Sequence, residues 1–314
     1  MNTRRLLVAF VLVVVFYGGD INAQTRRTRN KVEMDILYKF KIDGKTSKVE
    51  FTILLPRTIP NKQNIELSYS VKPKKVFMKN RNSYAKFVFN HPRKDFTLVI
   101  KVKADLFSYD LSTAANKRMA EPNEFVNLTT YLRDEKYLEK DDPSIKRIAR
   151  NLRGRNEINR VRNIYNYVLG NLEYGKYNKK DMGAITAVKR KKGDCSEYAD
   201  LFVVLCRAKK IPARVVSGYL TEYKGTAKHS WAEVYLEGLG WVPFDPTIGD
   251  VEDVSAQKRL FKNLSPIYIY LSHIRSDPVL ENGGFYYYRY WGDKIEVLDQ
   301  VRVTRPRKLA NKAG

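Results

Sequence analysis

Three residues of this 314-residue chain have the types that acyl transfer through sulfur requires: Cys195, then His229 34 positions on, then Asp245 16 beyond that. The thiolate is the nucleophile in such chemistry. An imidazole takes and returns the proton, and a carboxylate accepting from the second ring nitrogen fixes the tautomer. Cys195 opens a predicted helix in the run Gly193-Asp194-Cys195-Ser196-Glu197-Tyr198. A helix N-terminus presents unpaired N–H groups and partial positive charge, which favour an anionic sulfur. Taken singly, the partners have bland readings: a lone histidine is more often a core or surface residue, and Asp245 before Pro246 suits a turn. Metal binding has weak support, since the chain has three histidines, two cysteines that are not closely spaced and no His-Glu-x-x-His run. No Gly-x-Ser-x-Gly elbow points to serine catalysis. No metal and no cofactor is expected.

The elements that must position these residues follow from periodicity. Cys195, Tyr198, Ala199, Phe202, Val203 and Cys206 make one apolar helical stripe, which stops at Lys209-Lys210-Ile211-Pro212. The two cysteines on that helix are roughly 16 Å apart by its rise, beyond the reach of a disulfide. Upstream, Asp142-Pro143 starts a helix with Ile145, Ile148, Ala149 and Leu152 on one face, and a second starts near Asn156. Tyr174 to Gly193 reads as a polar, basic connection ending in Lys189-Arg190-Lys191-Lys192, a solvated loop. Beyond the central helix the period becomes that of strands: residues 213–220, 230–236 and 241–244. Tyr268 to Ser272, Phe285 to Tyr290 and Ile295 to Val303 are expected to extend the same sheet. Trp231 shares a strand face with His229 and serves either as a shield for it or as core packing; Glu233 on the same face is a second carboxylate.

The stretch from about Pro143 to Gly249 resembles the transglutaminase-like superfamily, whose core is related to papain-type cysteine proteases. The residues that carry the resemblance are Gly193-Asp194-Cys195-Ser196, Ile211-Pro212-Ala213-Arg214-Val215-Val216-Ser217-Gly218-Tyr219, His229-Ser230-Trp231 and Gly240-Trp241-Val242-Pro243-Phe244-Asp245-Pro246-Thr247. The resemblance implies an α+β catalytic core in which Cys195, His229 and Asp245 act as a triad. Tyr174, Trp231 and Asp194 are supporting candidates, Tyr174 because it matches a position near the active site in this superfamily. Crosslinking members from animals have Gln and Trp flanking the cysteine, where this chain has Asp194 and Ser196, so hydrolysis and amine transfer stay equally open. Lys210 stands where many relatives have glycine.

The remaining organisation is simpler. Residues 1–23, with Arg4 and Arg5 before an apolar run and Ile21-Asn22-Ala23 at its end, read as an export signal. This places the protein in the periplasm or outside the cell. Removing them takes away two arginines and one aspartate and leaves +23 of the formal +24. Such an excess favours anionic surfaces such as envelope polymers; no nucleic-acid motif is present and no nucleic-acid partner is expected. Residues 24–30 form a basic leader and 31–105 a small all-β sandwich of immunoglobulin-like type, read from alternation in Val49-Phe51-Ile53, Ile65-Leu67-Tyr69 and Phe96-Leu98-Ile100. A partly helical linker (106–142), the catalytic domain (143–304) and a basic tail (305–314) complete the expected order. The function expected is an exported thiol-dependent acyl-transfer enzyme acting on a protein or peptide-like substrate. The alternative is a basic envelope-binding protein that keeps the fold without turnover.

Overall fold

A computed structural model describes residues 29–42, 44–117, 127–175 and 181–304. The expected export signal, residues 24–28 of the leader and the basic tail lie outside these residues. Six strands open the described chain: β1 (Arg29–Ile42), β2 (Thr46–Leu55), β3 (Gln63–Tyr69), β4 (Lys75–Lys79), β5 (Asn82–Asn90) and β6 (Phe96–Phe107). Period-two alternation in β2 turns Val49, Phe51 and Ile53 inward, where all three are fully buried. They meet Tyr38 and Phe40 of β1, Phe87 of β5 and Leu98 and Ile100 of β6 in one core between two antiparallel sheets. Each large apolar side chain so buried contributes about 1.5–3 kcal/mol before entropy is counted.

Beyond the sandwich, β7 (Tyr109–Asp110) and α1 (Leu111–Lys117) lead to α2 (Pro143–Asn151) and α3 (Glu157–Asn171). Their starts follow the expected chemistry. Asp142 accepts from the Ser144 N–H at 2.8 Å with Pro143 in the first turn, and Asn156 accepts from the Asn159 N–H at 2.9 Å. β8 (Glu173–Tyr174) runs parallel to β9 (Lys192–Gly193). Between them the expected connection is corrected, because it contains α4 (Gly183–Arg190) with Ala184 and Ala187 buried. No side chain caps this helix and its first residue is a glycine at φ 78°, so the usual start signals are missing.

The central helix, α5 (Cys195–Ala208), lies on one face of a four-stranded antiparallel sheet. That sheet has the order β12-β11-β10-β14, built from β10 (Ala213–Leu220), β11 (Lys228–Leu236), β12 (Gly240–Phe244) and β14 (Tyr268–Ser272). Phe202, Val203 and Cys206 of the helix share a core with Val215, Ala232, Val234 and Phe244 of the sheet. The one-turn α6 (Pro246–Gly249), α7 (Val254–Lys262) and β13 (Asn263–Leu264) connect β12 to β14. Lys210, just past α5, adopts the left-handed φ of 62°, the conformation that a glycine would take there without strain.

The last two strands correct the expected layout. β15 (Tyr286–Gly292) pairs with β2 and β16 (Ile295–Thr304) with β1, so they complete the two sandwich sheets and do not extend the core sheet. Alternation shows that one face of each strand is buried, not in which sheet. The register supplies the answer: Tyr286 and Tyr288 lie opposite Ile53 and Phe51, and Ile295 and Val297 opposite Ile42 and Phe40. The sandwich is therefore assembled from both ends of the described chain, with the core between them. Tyr219, Ile269 and Leu271 of the core sheet join the sandwich's apolar cluster.

One glycine fixes how closely the core strands approach. The pairing of β10 with β14 shifts register between Ser217 and Gly218, where a Cβ on Gly218 would lie 2.0 Å from the Ile269 carbonyl oxygen and 2.7 Å from the Trp231 ring. Gly218→Ala should cost about 1–3 kcal/mol through this overlap. Calorimetry should show a melting temperature lower by on the order of 5 °C; an unchanged value would mean that the strands separate there freely.

Candidate active site

Local sequence sets the position of Cys195. Asp194 is the N-cap of α5, its carboxylate accepting from the Ser196 N–H at 2.8 Å, and the Glu197 carboxylate reaches back to the Asp194 N–H at 3.0 Å. The second Glu197 oxygen accepts from the Met182 N–H at 2.9 Å, which ties the start of α4 to the same turn. Gly193 has no room for a side chain, since a Cβ would fall 2.3 Å from that of Glu197. The cap thus uses the Ser196 and Glu197 N–H groups and leaves the Cys195 N–H unclaimed among the described hydrogen bonds. Cys195 itself is 6% exposed.

His229 and Asp245 meet on neighbouring strands at the tip of this helix. His229 Nε2 lies 2.6 Å from Asp245 Oδ2, and the Cys195 sulfur is within hydrogen-bonding reach of the same imidazole. With Nε2 engaged by the carboxylate, Nδ1 is the atom left to face sulfur. Burial opposes a charged ring, yet the Asp245 charge and hydrogen bond, together with the Cys195 contact, raise the His229 pKa to about 10. Burial likewise opposes the Asp245 charge, and His229 with the surrounding donors overcomes it and holds the carboxyl low. Those donors are numerous. Oδ1 accepts from the Thr247 and Ile248 N–H groups at 2.9 and 3.0 Å, so Asp245 is also the N-cap of α6. The Tyr268 hydroxyl gives Oδ2 a further hydrogen bond at 2.8 Å.

The supporting candidates fall around this chain. The Trp231 ring is fully buried and nearly parallel to the imidazole, 17° between planes and 6.1 Å between centres. It is walled in turn by Tyr268 and Tyr270. Tyr174 is held beside Gly193 by the β8–β9 pairing and is 44% exposed. Partial burial, then the nearby Cys195, Asp194 and Asp245, push its hydroxyl up to about 12. Glu233 is not part of the group, because Lys62 and Arg214 hold it in a separate buried ion cluster. Lys191 and Lys192 are exposed, Lys192 beside Glu173, as a solvated loop end would be. Tyr268 is the contributor that sequence reasoning missed. It is one tyrosine among twenty-one, on a strand whose pairing partner the linear pattern does not give.

The raised His229 and lowered Asp245 values have a defined pH consequence. A histidine whose pKa rises from 6.5 to about 10 on folding adds stability that is complete below 6.5 and lost as pH climbs through about 10. The depressed Asp245 carboxyl adds stability above the ordinary value of 3.8, lost on acidification. Asp245→Asn keeps the α6 cap and removes the charge. Its deficit in urea unfolding should therefore be greatest between about pH 4 and 6.5 and shrink toward pH 10. An equal deficit at both ends of that range would show that His229 is not held as a cation.

Comparison with known proteins agrees with this architecture. Residues 146–246 match the model of the transglutaminase-like superfamily. A candidate cysteine protease of Cytophaga hutchinsonii has the same fold, with a TM-score of 0.60 and 17% identity over 92% of this chain and 95% of that one. The protein YebA of Bacillus subtilis is 41% identical over 73 residues, 19% of this chain and 10% of that protein. A peptide-N(4)-(N-acetyl-beta-glucosaminyl)asparagine amidase of Drosophila melanogaster is 40% identical over 58 residues, 18% of this chain and 8% of its own. The chain thus spans no more than a tenth of either curated relative. The region that matches the family model holds the cysteine, helix and strands described above, and in that region the chain is similar to the transglutaminase-like superfamily.

Proposed function

We propose that this protein is a thiol-dependent acyl-transfer enzyme acting on peptide-like amides, with Cys195 as nucleophile, His229 as general base and acid, and Asp245 as the orienting carboxylate. The observation that carries this reading is the unbroken contact chain from the sulfur at the tip of α5 through the imidazole to a saturated carboxylate. An imidazolium beside sulfur stabilises the thiolate, which adds to the amide carbonyl carbon. The oxygen that gains the negative charge faces the unclaimed Cys195 N–H. His229 then gives its proton to the departing amine, the C–N bond breaks and a thioester is left on sulfur. Water or a second amine attacks that thioester while His229 takes the proton released, and the sulfur leaves as thiolate. Similarity to an amidase over 58 residues supports amide chemistry. The basic start and apolar run of residues 1–23 support action outside the cytoplasm.

Cys206 provides an internal control, since it is fully enclosed in the core and burial pushes its thiol up. A peptide vinyl sulfone should add once to the folded wild type, at Cys195, and not to Cys195→Ala. His229→Ala should react about 10²–10⁴-fold more slowly. Peptide mass mapping reads the site. Failure of the wild type to react, or equal labelling of both cysteines, would remove the enzymatic reading. Salt-sensitive binding to an anionic polymer by that unreactive protein would then favour the envelope-binding alternative.

A further inference from the structure

The turn joining β2 to β3 leaves the sandwich and enters the face of the core sheet opposite α5. It is closed on itself: the Ile59 N–H donates to the Gln63 carbonyl at 2.9 Å and the Gln63 N–H to the Ile59 carbonyl at 3.0 Å, with Asn61 in the left-handed region at φ 65°. Three of its side chains reach the core. Ile59 packs in the cluster that contains Trp231, Tyr268 and Tyr270. Lys62 Nζ meets one oxygen of Glu233 at 2.5 Å, while Arg214 holds the other oxygen through Nε and a terminal nitrogen. The buried Gln63 amide pairs with β14 as another strand would. Its Nε2 donates to the Tyr270 carbonyl at 2.9 Å and its Oε1 accepts from the Tyr270 N–H at 2.8 Å.

Each of these contacts lies one step from the candidate active site. Glu233 and Trp231 alternate with His229 along β11, and Trp231 is the ring that lies parallel to the imidazole. Tyr270 is two residues from Tyr268, which donates to Asp245. β14 is an edge strand, paired on its other side with β10 across a register shift. Buried backbone groups on such an edge require partners, and the Gln63 amide supplies them.

We infer that the Ile59–Gln63 turn is a positioning element for the Cys195–His229–Asp245 chain, so that the sandwich sets where the imidazole and carboxylate stand. Ile59 and Gln63 hold β14, β14 holds the Tyr268 hydroxyl on Asp245, and Lys62 with Ile59 holds the Glu233–Trp231 side of β11 behind His229. This rests on the acyl-transfer reading. The bland counterpart is that the turn only joins two domains. A second buried joint provides the comparison: the Tyr84 hydroxyl of β5 donates to Asp277 at 2.7 Å, on a loop that leads away from the site.

The test uses the full chain and variants Gln63→Ala, Ile59→Ala, Tyr84→Phe and His229→Ala. For each, the rate of iodoacetamide alkylation at Cys195 is followed against pH at a temperature well below unfolding, with the melting temperature measured alongside. Gln63→Ala and Ile59→Ala should slow alkylation near pH 6 by at least about threefold and move the profile to higher pH, because small displacements in such an array are costly. Tyr84→Phe should lower the melting temperature and leave the profile in place. Profiles of both turn variants that superimpose on wild type, whatever their melting temperatures, would overturn the inference. His229→Ala separates the two failures. If it too leaves the profile unmoved, the acyl-transfer reading itself fails; if it alone moves it, only the role of the turn is lost.

Discussion

A carboxylate taken out of water keeps its charge only if donors replace the water it has lost, and Asp245 is the point at which this constraint organises the core. Four donors reach it from three elements: the imidazole from β11, the hydroxyl of Tyr268 from β14 and two backbone N–H groups from the first turn of α6. That turn is only four residues long, and capping Asp245 gives it a reason to exist. Even the Asp245 carbonyl is claimed, by the Tyr165 hydroxyl of α3 at 3.0 Å. Gly249 is required by the same packing, since a Cβ there would overlap the Tyr165 oxygen at 1.6 Å. The site is therefore a consequence of how the helices and strands close on one another as much as of the three side chains themselves.

Glu233 and Asp200 are buried as deeply, and their differences show how the partner decides the outcome. Glu233 faces the cations of both Lys62 and Arg214, and these outweigh burial and lower its pKa to about 2. Its neighbour His273 is kept neutral, first by burial and then by the positive charge of Arg214. Asp200, on the central helix, shares its single cation Arg275 with Asp181; there burial wins, and the pKa rises to about 7. Asp245 resembles neither. Its cation is an imidazole, His229, with a sulfur on the other side, whereas Glu233 faces a lysine and an arginine and Asp200 an arginine.

Much of this was legible in the sequence, and the rest was hidden for reasons that can be named. The helix bearing Cys195 was readable because a cap, an apolar stripe and a basic exit coincide between Asp194 and Pro212. The strands of His229 and Asp245 were readable because Gly238 and Gly240, both at positive φ, mark a tight connection between β11 and β12. By contrast α4 starts at an uncapped glycine, so its two small buried alanines could not announce a helix. Tyr268 and Gln63 act on partners 23 and 207 residues away, and no local period encodes such a meeting. β15 and β16 were recognisable as strands but not assignable to a sheet, because alternation is the same in either.

The assignment of those two strands changes what the sandwich is. A module joined by one linker can swing about it, but here the chain enters the core from β6 and returns to the sandwich at β15, so the core is anchored at both ends. The pairing that closes one sheet runs from Glu33 opposite Thr304 to Ile42 opposite Ile295, residues more than 250 positions apart. Contacts of such separation are costly in chain entropy and form readily only once the intervening segment is compact. The core's own pairings are short-range by comparison, with β10, β11 and β12 following one another in sequence. By that measure the pairings of β16 with β1 and of β15 with β2 are the costly ones, while the rest of the sandwich and the core sheet each pair within their own segment. The loop that carries Lys62 and Gln63 contacts β11 and β14 through side chains and not as a further strand of their sheet, which suits the task of fixing their stance better than that of building them.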